Sequence, residues 1–243
     1  MLVIILLSLF LNVFWVAALL IMAIGLIGIA LGAFNIQWNF FVKAIHNGQT
    51  HSRQIALTFD DGPHPVYTPR VLDLLDKYAV KATFFCIGRQ VTQHPEVALE
   101  LHKRGHLIGN HSYTHAPTID FHTKVKWLGE IHRTDAAIAA CIGHKPCFFR
   151  PPYGVTTPHL AGAIRVSGHS VIGWRVRPYD TARRTPDRIV RTILNKTKPG
   201  DIILLHDTHD RIVPVLEQLL PALKRRNFTM VTVETLTQRH AYA

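Results

Sequence analysis

The sequence predicts an α/β fold, with about seven parallel strands alternating with helices behind a hydrophobic N-terminal anchor. Three observations lead there. Beyond residue 54, short apolar runs alternate with segments of helical spacing. Residues 1–34 are nearly all apolar, and no charged side chain appears before Lys43. The side chains capable of chemistry recur where strand-like runs stop. Strand–helix alternation implies parallel pairing through helical crossovers. Periodicity alone leaves an open doubly wound sheet and a somewhat short barrel equally available. Both place a functional site at the C-terminal ends of the strands.

The apolar run exceeds the ~20 residues that a spanning helix needs and is marginal for two short spans. No basic residue precedes it, and it is longer than the core of a signal peptide, so an uncleaved membrane anchor over 1–34 is expected. Trp38, Phe40 and Phe41 follow as interfacial aromatics. Residues 35–53 read as a polar linker, 54–237 as the main folded domain and 238–243 as a tail. For a single span, Lys43 and Arg53 favour a cytoplasmic domain, and two spans would change that inference.

The chain has 27 Lys and Arg against 16 Asp and Glu, a formal charge of +11 carried entirely beyond the apolar run. Such an excess suits phosphate head groups, acidic wall polymers or nucleic acid. No nucleic-acid module or basic–aromatic stripe is present, so no nucleic-acid partner is expected, and the charge reads as a basic surface beside a membrane. Three cysteines are too few for a disulfide framework. Cys86 lies in an apolar run and reads as a buried thiol. Cys141 and Cys147 are left either paired or free.

In chain order, residues 55–59 read as the first strand. Val71, Leu74, Leu75 and Tyr78 have helical spacing over 68–78, with Pro69 in the first turn. A strand over 82–87 precedes a helix over 95–104 that stops at Gly105. A short strand over 106–109 leads to a long helix over 124–142, with Val125, Leu128, Ile131 and Ile138 on one face. The remaining strands are expected over 147–150, 170–174, 201–205 and 229–233, and the helices over 158–166, 186–195 and 213–225.

The first strand ends in Asp60-Asp61-Gly62-Pro63. Neighbouring strand residues face opposite ways, yet where the chain turns both carboxylates reach one pocket from different angles. One can then hold a metal while the other stays free as a base, although the same four residues also make an ordinary turn. His111 and His115 stand at i and i+4, which on a helical turn brings two imidazoles to one side. With Asp61 they form a two-His, one-carboxylate set with positions open for water and substrate. Nitrogen donors of this kind favour zinc, and cobalt, nickel or iron also fit. His102 and His106 share the spacing but straddle Gly105 and read as background. Arg150-Pro151-Pro152-Tyr153-Gly154 is either a rigid surface loop or a scaffold that holds Arg150 against Asp60 and offers the Tyr153 N–H to an oxyanion. His206 follows a wholly apolar run, as a buried hydrogen-bonded imidazole or as a general acid.

These residues resemble the polysaccharide deacetylases, the NodB-type or carbohydrate esterase family 4 enzymes. The shared motifs are TFDDG (58–62), HSYTH (111–115), RPPYG (150–154) and LLHD (204–207), in the family's order across nearly everything after the linker. The resemblance implies a distorted (β/α) barrel and metal-dependent removal of N-acetyl groups from amino sugars. It makes Asp60 the base, Asp61, His111 and His115 the metal ligands, Arg150 the tether of the base and His206 the acid. Tyr153 supplies the oxyanion N–H and Leu204 lines the acetyl-methyl pocket. The implied route is attack by metal-bound water.

One motif departs from the family. Where it has Asp-x-x-Asp-Trp, this chain reads Arg177-Pro178-Tyr179-Asp180-Thr181. Asp180 keeps the position that charges the acid His, whereas Arg177 and Thr181 alter the sugar-facing wall. The expected substrate is an N-acetylated envelope glycan, peptidoglycan-like or chitooligosaccharide-like. A deacylase or deformylase of lipid-linked amino sugars is the alternative within the chemistry, and a non-catalytic glycan-binding module the alternative outside it. The family's polymeric substrates favour an extracytoplasmic domain, against the flanking charges.

Overall fold

The computed structural model describes residues 1–49 and 52–243. Eight strands, β1 (Ala44–Ile45), β2 (Gln54–Asp60), β3 (Thr83–Cys86), β4 (Leu107–Asn110), β5 (Phe148–Phe149), β6 (Ser170–Ile172), β7 (Ile202–His206) and β8 (Thr229–Val231), form one sheet. Its order is β1-β6-β5-β4-β3-β2-β7, every pairing is parallel, and β8 pairs with the start of β2. Val176 bridges Ile203, and Asn47 bridges Asp201. The segments after β6 and β1 thereby return to β7, and the curled sheet closes as a distorted barrel.

Nine helices accompany it: α1 (Leu2–Phe34), α2 (Tyr67–Lys77), α3 (Gly88–Gln93), α4 (Pro95–Lys103), α5 (Lys124–Ile142), α6 (Pro158–Ser167), α7 (Pro186–Lys196), α8 (Ile212–Arg225) and α9 (Val233–Thr237), all among the described residues. The barrel helices bury one apolar face each against the strands. Leu72 and Leu75 of α2 and Leu216, Leu219 and Leu220 of α8 are fully buried with Leu57 and Phe59 of β2, each worth roughly 1.5–3 kcal/mol. α5 is capped by Thr123, whose hydroxyl accepts the Lys126 N–H.

α1 is one continuous helix, about 50 Å long at 1.5 Å per residue. Its segment Asn12–Phe34 has a mean hydropathy of 2.7 and is long and apolar enough to cross a membrane. Phe14, Leu20 and Ile24 stand exposed along it.

Several segments read as connections are built into the fold. Within 35–53, β1 pairs with β6, and Ile36, Val42 and Ala44 are buried beside Trp127 and Phe149. Thr50 and His51 of that stretch lie outside the described residues. The tail is also engaged: Ala241 accepts the Cys147 N–H, and the Tyr242 hydroxyl accepts the Ile108 N–H. β1, α3 and α9 are too short to show a period, which is why the sequence does not announce them. The three cysteines are free thiols, Cys86 fully buried.

Candidate active site

Strand alternation decides which side chains face the barrel interior. On β2, Leu57 and Phe59 join the outer core while Ala56, Thr58 and Asp60 point inward. On β7, Ile203 and Leu205 face outward, and Ile202, Leu204 and His206 face inward. Ala56, Ile202 and Phe85, with Val233 and Leu236 of α9, fill the lower interior. Asp60 and His206, opposite each other in register, stand above them at the wall of a cavity of about 270 Å³.

Asp60 is buried and pinned. Arg150, fully buried, donates from Nη1 to Asp60 Oδ1 at 2.7 Å and to Thr58 Oγ1 at 2.8 Å. Its Nε and Nη2 donate to the carbonyls of Ile172 and Gly173, each at 3.0 Å, and its guanidinium lies 4.1 Å from the centre of the Phe85 ring. Such a fork fixes orientation as well as charge. Asp61 follows in a left-handed turn (φ 76°), which swings its carboxylate into the same cavity. The next residue has to be glycine for space, because a Cβ on Gly62 would sit 2.6 Å from Asp207 Oδ2.

His111 and His115 converge as expected, with ring centroids 5.0 Å apart, but not on a helical turn. Residues 111–115 form a loop after β4, with Ser112 (φ 63°) and His115 (φ 49°) left-handed. Glu130 of α5 holds this loop: its Oε2 accepts the N–H groups of Tyr113 and Thr114 at 2.9 and 2.8 Å. Nothing in the spacing pointed to Glu130, because its role is made by a helix that returns from elsewhere in the chain.

The ligand atoms of Asp61, His111 and His115 all lie within 4.8 Å of one another. Asp61 Oδ1 is buried without a hydrogen-bond partner, 3.4 Å from Nε2 of each imidazole. His111 Nδ1 is 2.8 Å from the Arg150 carbonyl, so the proton sits there and the Nε2 lone pair is free. Burial lowers the His115 pKa to about 4, which keeps that ring neutral as a ligand must be. Burial opposes ionisation of Asp61, yet the surrounding imidazoles hold its carboxyl well below the usual range. The donor set fits a divalent ion with open coordination positions.

His206 Nε2 faces the cavity, 3.9 Å from Asp61 Oδ2. Its Nδ1 is 3.0 Å from Asp180 Oδ1, and its backbone N–H donates to Asp180 Oδ2 at 2.8 Å. Asp180 is fully buried, and His209 Nε2 approaches its Oδ2 at 3.4 Å. Burial pulls the His206 pKa down. The hydrogen bond and charge of Asp180, with the charges of Asp60 and Asp61, outweigh it and raise the value to about 9.

Tyr153 sits at φ 58° in a 3₁₀ turn over Pro152–Gly154, and its backbone N–H meets no acceptor among the described residues. Its ring packs on His115, centroids 4.6 Å apart. Gly154 (φ 75°) lies against Trp174, where a Cβ would sit 2.4 Å from the indole.

The expected residues therefore meet in one place. Asp60, Asp61, His111, His115, Tyr153, Leu204 and His206 line the cavity, and Arg150 and Asp180 support it from behind. Trp174, Arg177 and Thr181 complete the wall. Trp174 was not singled out in the sequence, although its place just beyond β6 is the signal that marked the others.

Residues 47–172 match the model of the polysaccharide deacetylase family. The chain is 36% identical over 216 residues to a chitooligosaccharide deacetylase of Bradyrhizobium sp., covering 83% of this chain and 97% of that protein. It superimposes on the peptidoglycan deacetylase PdaC of Bacillus subtilis with a TM-score of 0.71 and 34% identity, covering 76% of this chain and 90% of that one. A carbohydrate esterase family 4 pseudoenzyme of Bacillus anthracis is also similar, with a TM-score of 0.74 and 28% identity over 80% of this chain and 68% of that one. On the family match, the shared barrel and the motifs that meet at its mouth, the chain belongs to the polysaccharide deacetylase family of carbon–nitrogen hydrolases.

Proposed function

We propose that the protein removes N-acetyl groups from amino sugars of an envelope glycan or its precursor, using a divalent ion held by Asp61, His111 and His115. The observation that carries this reading is the division of labour between adjacent carboxylates. Asp60 is tied to Arg150, whereas Asp61 Oδ1 is buried without a hydrogen-bond partner between two imidazoles. A chain that had kept only a binding role would have no need of a pinned base, a ligand trio and a charged imidazole around one cavity, so the non-catalytic alternative loses ground.

Zinc suits the donors best; cobalt, nickel or iron would also fit. When bound, the ion supplies Lewis acidity toward the amide carbonyl and lowers the pKa of water. The chain's own groups do the rest. Asp60, oriented through Oδ1 by Arg150, accepts the proton of the attacking water. The Tyr153 N–H donates to the oxyanion, and Leu204 packs on the acetyl methyl group. His206, kept protonated by Asp180, gives its proton to the nitrogen as the C–N bond breaks, leaving acetate and the free amine.

α1 reads as the membrane anchor of this catalytic domain. We place the domain outside the cytoplasm, on the side of the cell wall for whose peptidoglycan several relatives are named; a C-terminal reporter fusion tests that placement. The function is tested by acetate release from chitooligosaccharides, peptidoglycan and lipid-linked amino sugars, with and without added zinc. Zinc-dependent release from at least one class is expected. No release from any of them by zinc-loaded protein would refute the reading.

A further inference from the structure

A second cavity, of about 520 Å³, lies between the C-terminal end of α1 and the catalytic domain. Its α1 wall is Leu31 and Phe34, and its opposite wall carries Arg175, Arg177 and Lys196 with no acidic side chain among the lining residues. Trp174 and Arg177 line this cavity and the catalytic one alike, so the two spaces share a wall.

The groove is a built feature rather than an accident of a loose helix. The Ala33 carbonyl accepts the Thr156 N–H at 2.9 Å, and Gln37 Nε2 donates to the Trp174 carbonyl at 2.9 Å. Gly32 lies so close to Phe40 that a Cβ would sit 2.5 Å from its ring. The helix end is thus fixed to the segment that follows the RPPYG loop, and the turn just past the helix to Trp174; that loop and Trp174 also line the catalytic cavity.

Its charges have little to occupy them. Among the described residues neither Arg177 nor Lys196 has a carboxylate within ion-pair distance, and Arg175 only approaches Asp201, at 3.8 Å. Arg177 is held between aromatic rings, 5.4 Å from the centre of Trp174 and 5.1 Å from that of Tyr179.

The arrangement runs from apolar to cationic to catalytic. Leu31 and Phe34 continue the exposed apolar surface of α1. The cations follow, then the ligand trio and the base beyond the shared wall. We infer that the groove takes the phosphate of a lipid-linked N-acylated amino sugar. The hydrocarbon lies along the end of α1, the phosphate sits on Arg175, Arg177 and Lys196, and the sugar reaches the catalytic cavity. The inference rests on the deacylase reading and on α1 lying in a bilayer. It assigns the substrate to the membrane-bound precursor class rather than to the finished polymer. Charge complementarity and the shared wall favour that occupant over a bulk phospholipid, which would not need a passage to the base.

The full chain in detergent micelles, loaded with zinc, tests this in two ways. Binding is read by titration calorimetry with farnesyl phosphate, farnesol, phosphatidylglycerol and inorganic phosphate. Farnesyl phosphate should bind at least about ten-fold tighter than the other three, and Lys196→Gln and Arg177→Gln should each reduce that margin. Turnover is compared between farnesyl-phosphate-linked N-acetylglucosamine and chitotetraose. The ratio of kcat/KM should favour the lipid-linked sugar, and in Lys196→Gln it should fall by about ten-fold, mainly through KM. Equal binding of farnesyl phosphate and phosphatidylglycerol would make the groove a phospholipid site and overturn the assignment. A preference for chitotetraose, or a ratio insensitive to Lys196→Gln, would overturn it while leaving deacetylation in place. Turnover of neither sugar, with charge-dependent farnesyl phosphate binding intact, would support the groove assignment and count against the deacylase reading.

Discussion

Asp180→Asn isolates the most quantitative feature of the site. In the folded chain burial works to deprotonate His206, and the Asp180 hydrogen bond and charge reverse that effect to give a pKa of about 9. Asparagine keeps the shape but has one oxygen, so it cannot accept both the backbone N–H and the Nδ1–H of His206 as Asp180 does. Its amide can instead donate to Nδ1, which favours the neutral ring. With burial unopposed by Asp180, the pKa should return to about 6.5 or lower. At about pH 7.5 the protonated fraction then drops from nearly all to about a tenth, a loss of about ten-fold in turnover, and the full shift is worth ~3 kcal/mol. The charges of Asp60 and Asp61 also favour the protonated ring, and a bound cation offsets the share from Asp61. The share from Asp180 remains, since its carboxylate contacts the other ring nitrogen. The direction follows from the role of an acid: the alkaline limb of the pH–kcat profile moves to lower pH while the acidic limb stays in place. Profiles of zinc-loaded wild type and variant on one substrate, with the His206 imidazole followed by NMR, measure both quantities. An alkaline limb that stays put at full activity would mean that another group tunes the acid, or that His206 is not the acid.

His111→Ala and His115→Ala should each abolish tight zinc binding and turnover with the fold retained, whereas Asp60→Asn should keep the metal and lose turnover; zinc content of the purified proteins by mass spectrometry separates the two outcomes. Arg150→Met leaves Asp60 and two carbonyls without their buried partner, for a loss of about 3–5 kcal/mol and a fall of about 6–20 °C in melting temperature; a melting curve within about 2 °C of wild type would contradict the buried-fork account. A chain beginning at Asn35 should be soluble and folded, while one beginning at His46 lacks β1 and the buried Ile36 and Val42, at about 1.5–3 kcal/mol each; comparing their thermal unfolding checks whether the stretch is structural.

The local information in the chain determined a good deal. The apolar run over 1–34, the alternation of strands and helices, and the placing of Asp60, His111, Arg150 and His206 at strand ends are all consequences of side-chain period and turn chemistry, which act over a few residues. Those are the parts legible without coordinates. The convergence of Asp61, His111 and His115 was legible too, but by the wrong local route: a loop with two left-handed residues, held by Glu130, does what a helical turn was expected to do. Tertiary structure alone decided the remainder. A two-residue strand such as β1 has no period to read, and it forms because β6 offers it an edge. Arg150 meets Asp60 because barrel closure brings together groups ninety residues apart in sequence. The groove beside α1 forms where Ala33 of the helix is bonded to Thr156 and Gln37, just past it, to Trp174. Such contacts depend on the global packing of distant segments, and no window along the chain contains both partners.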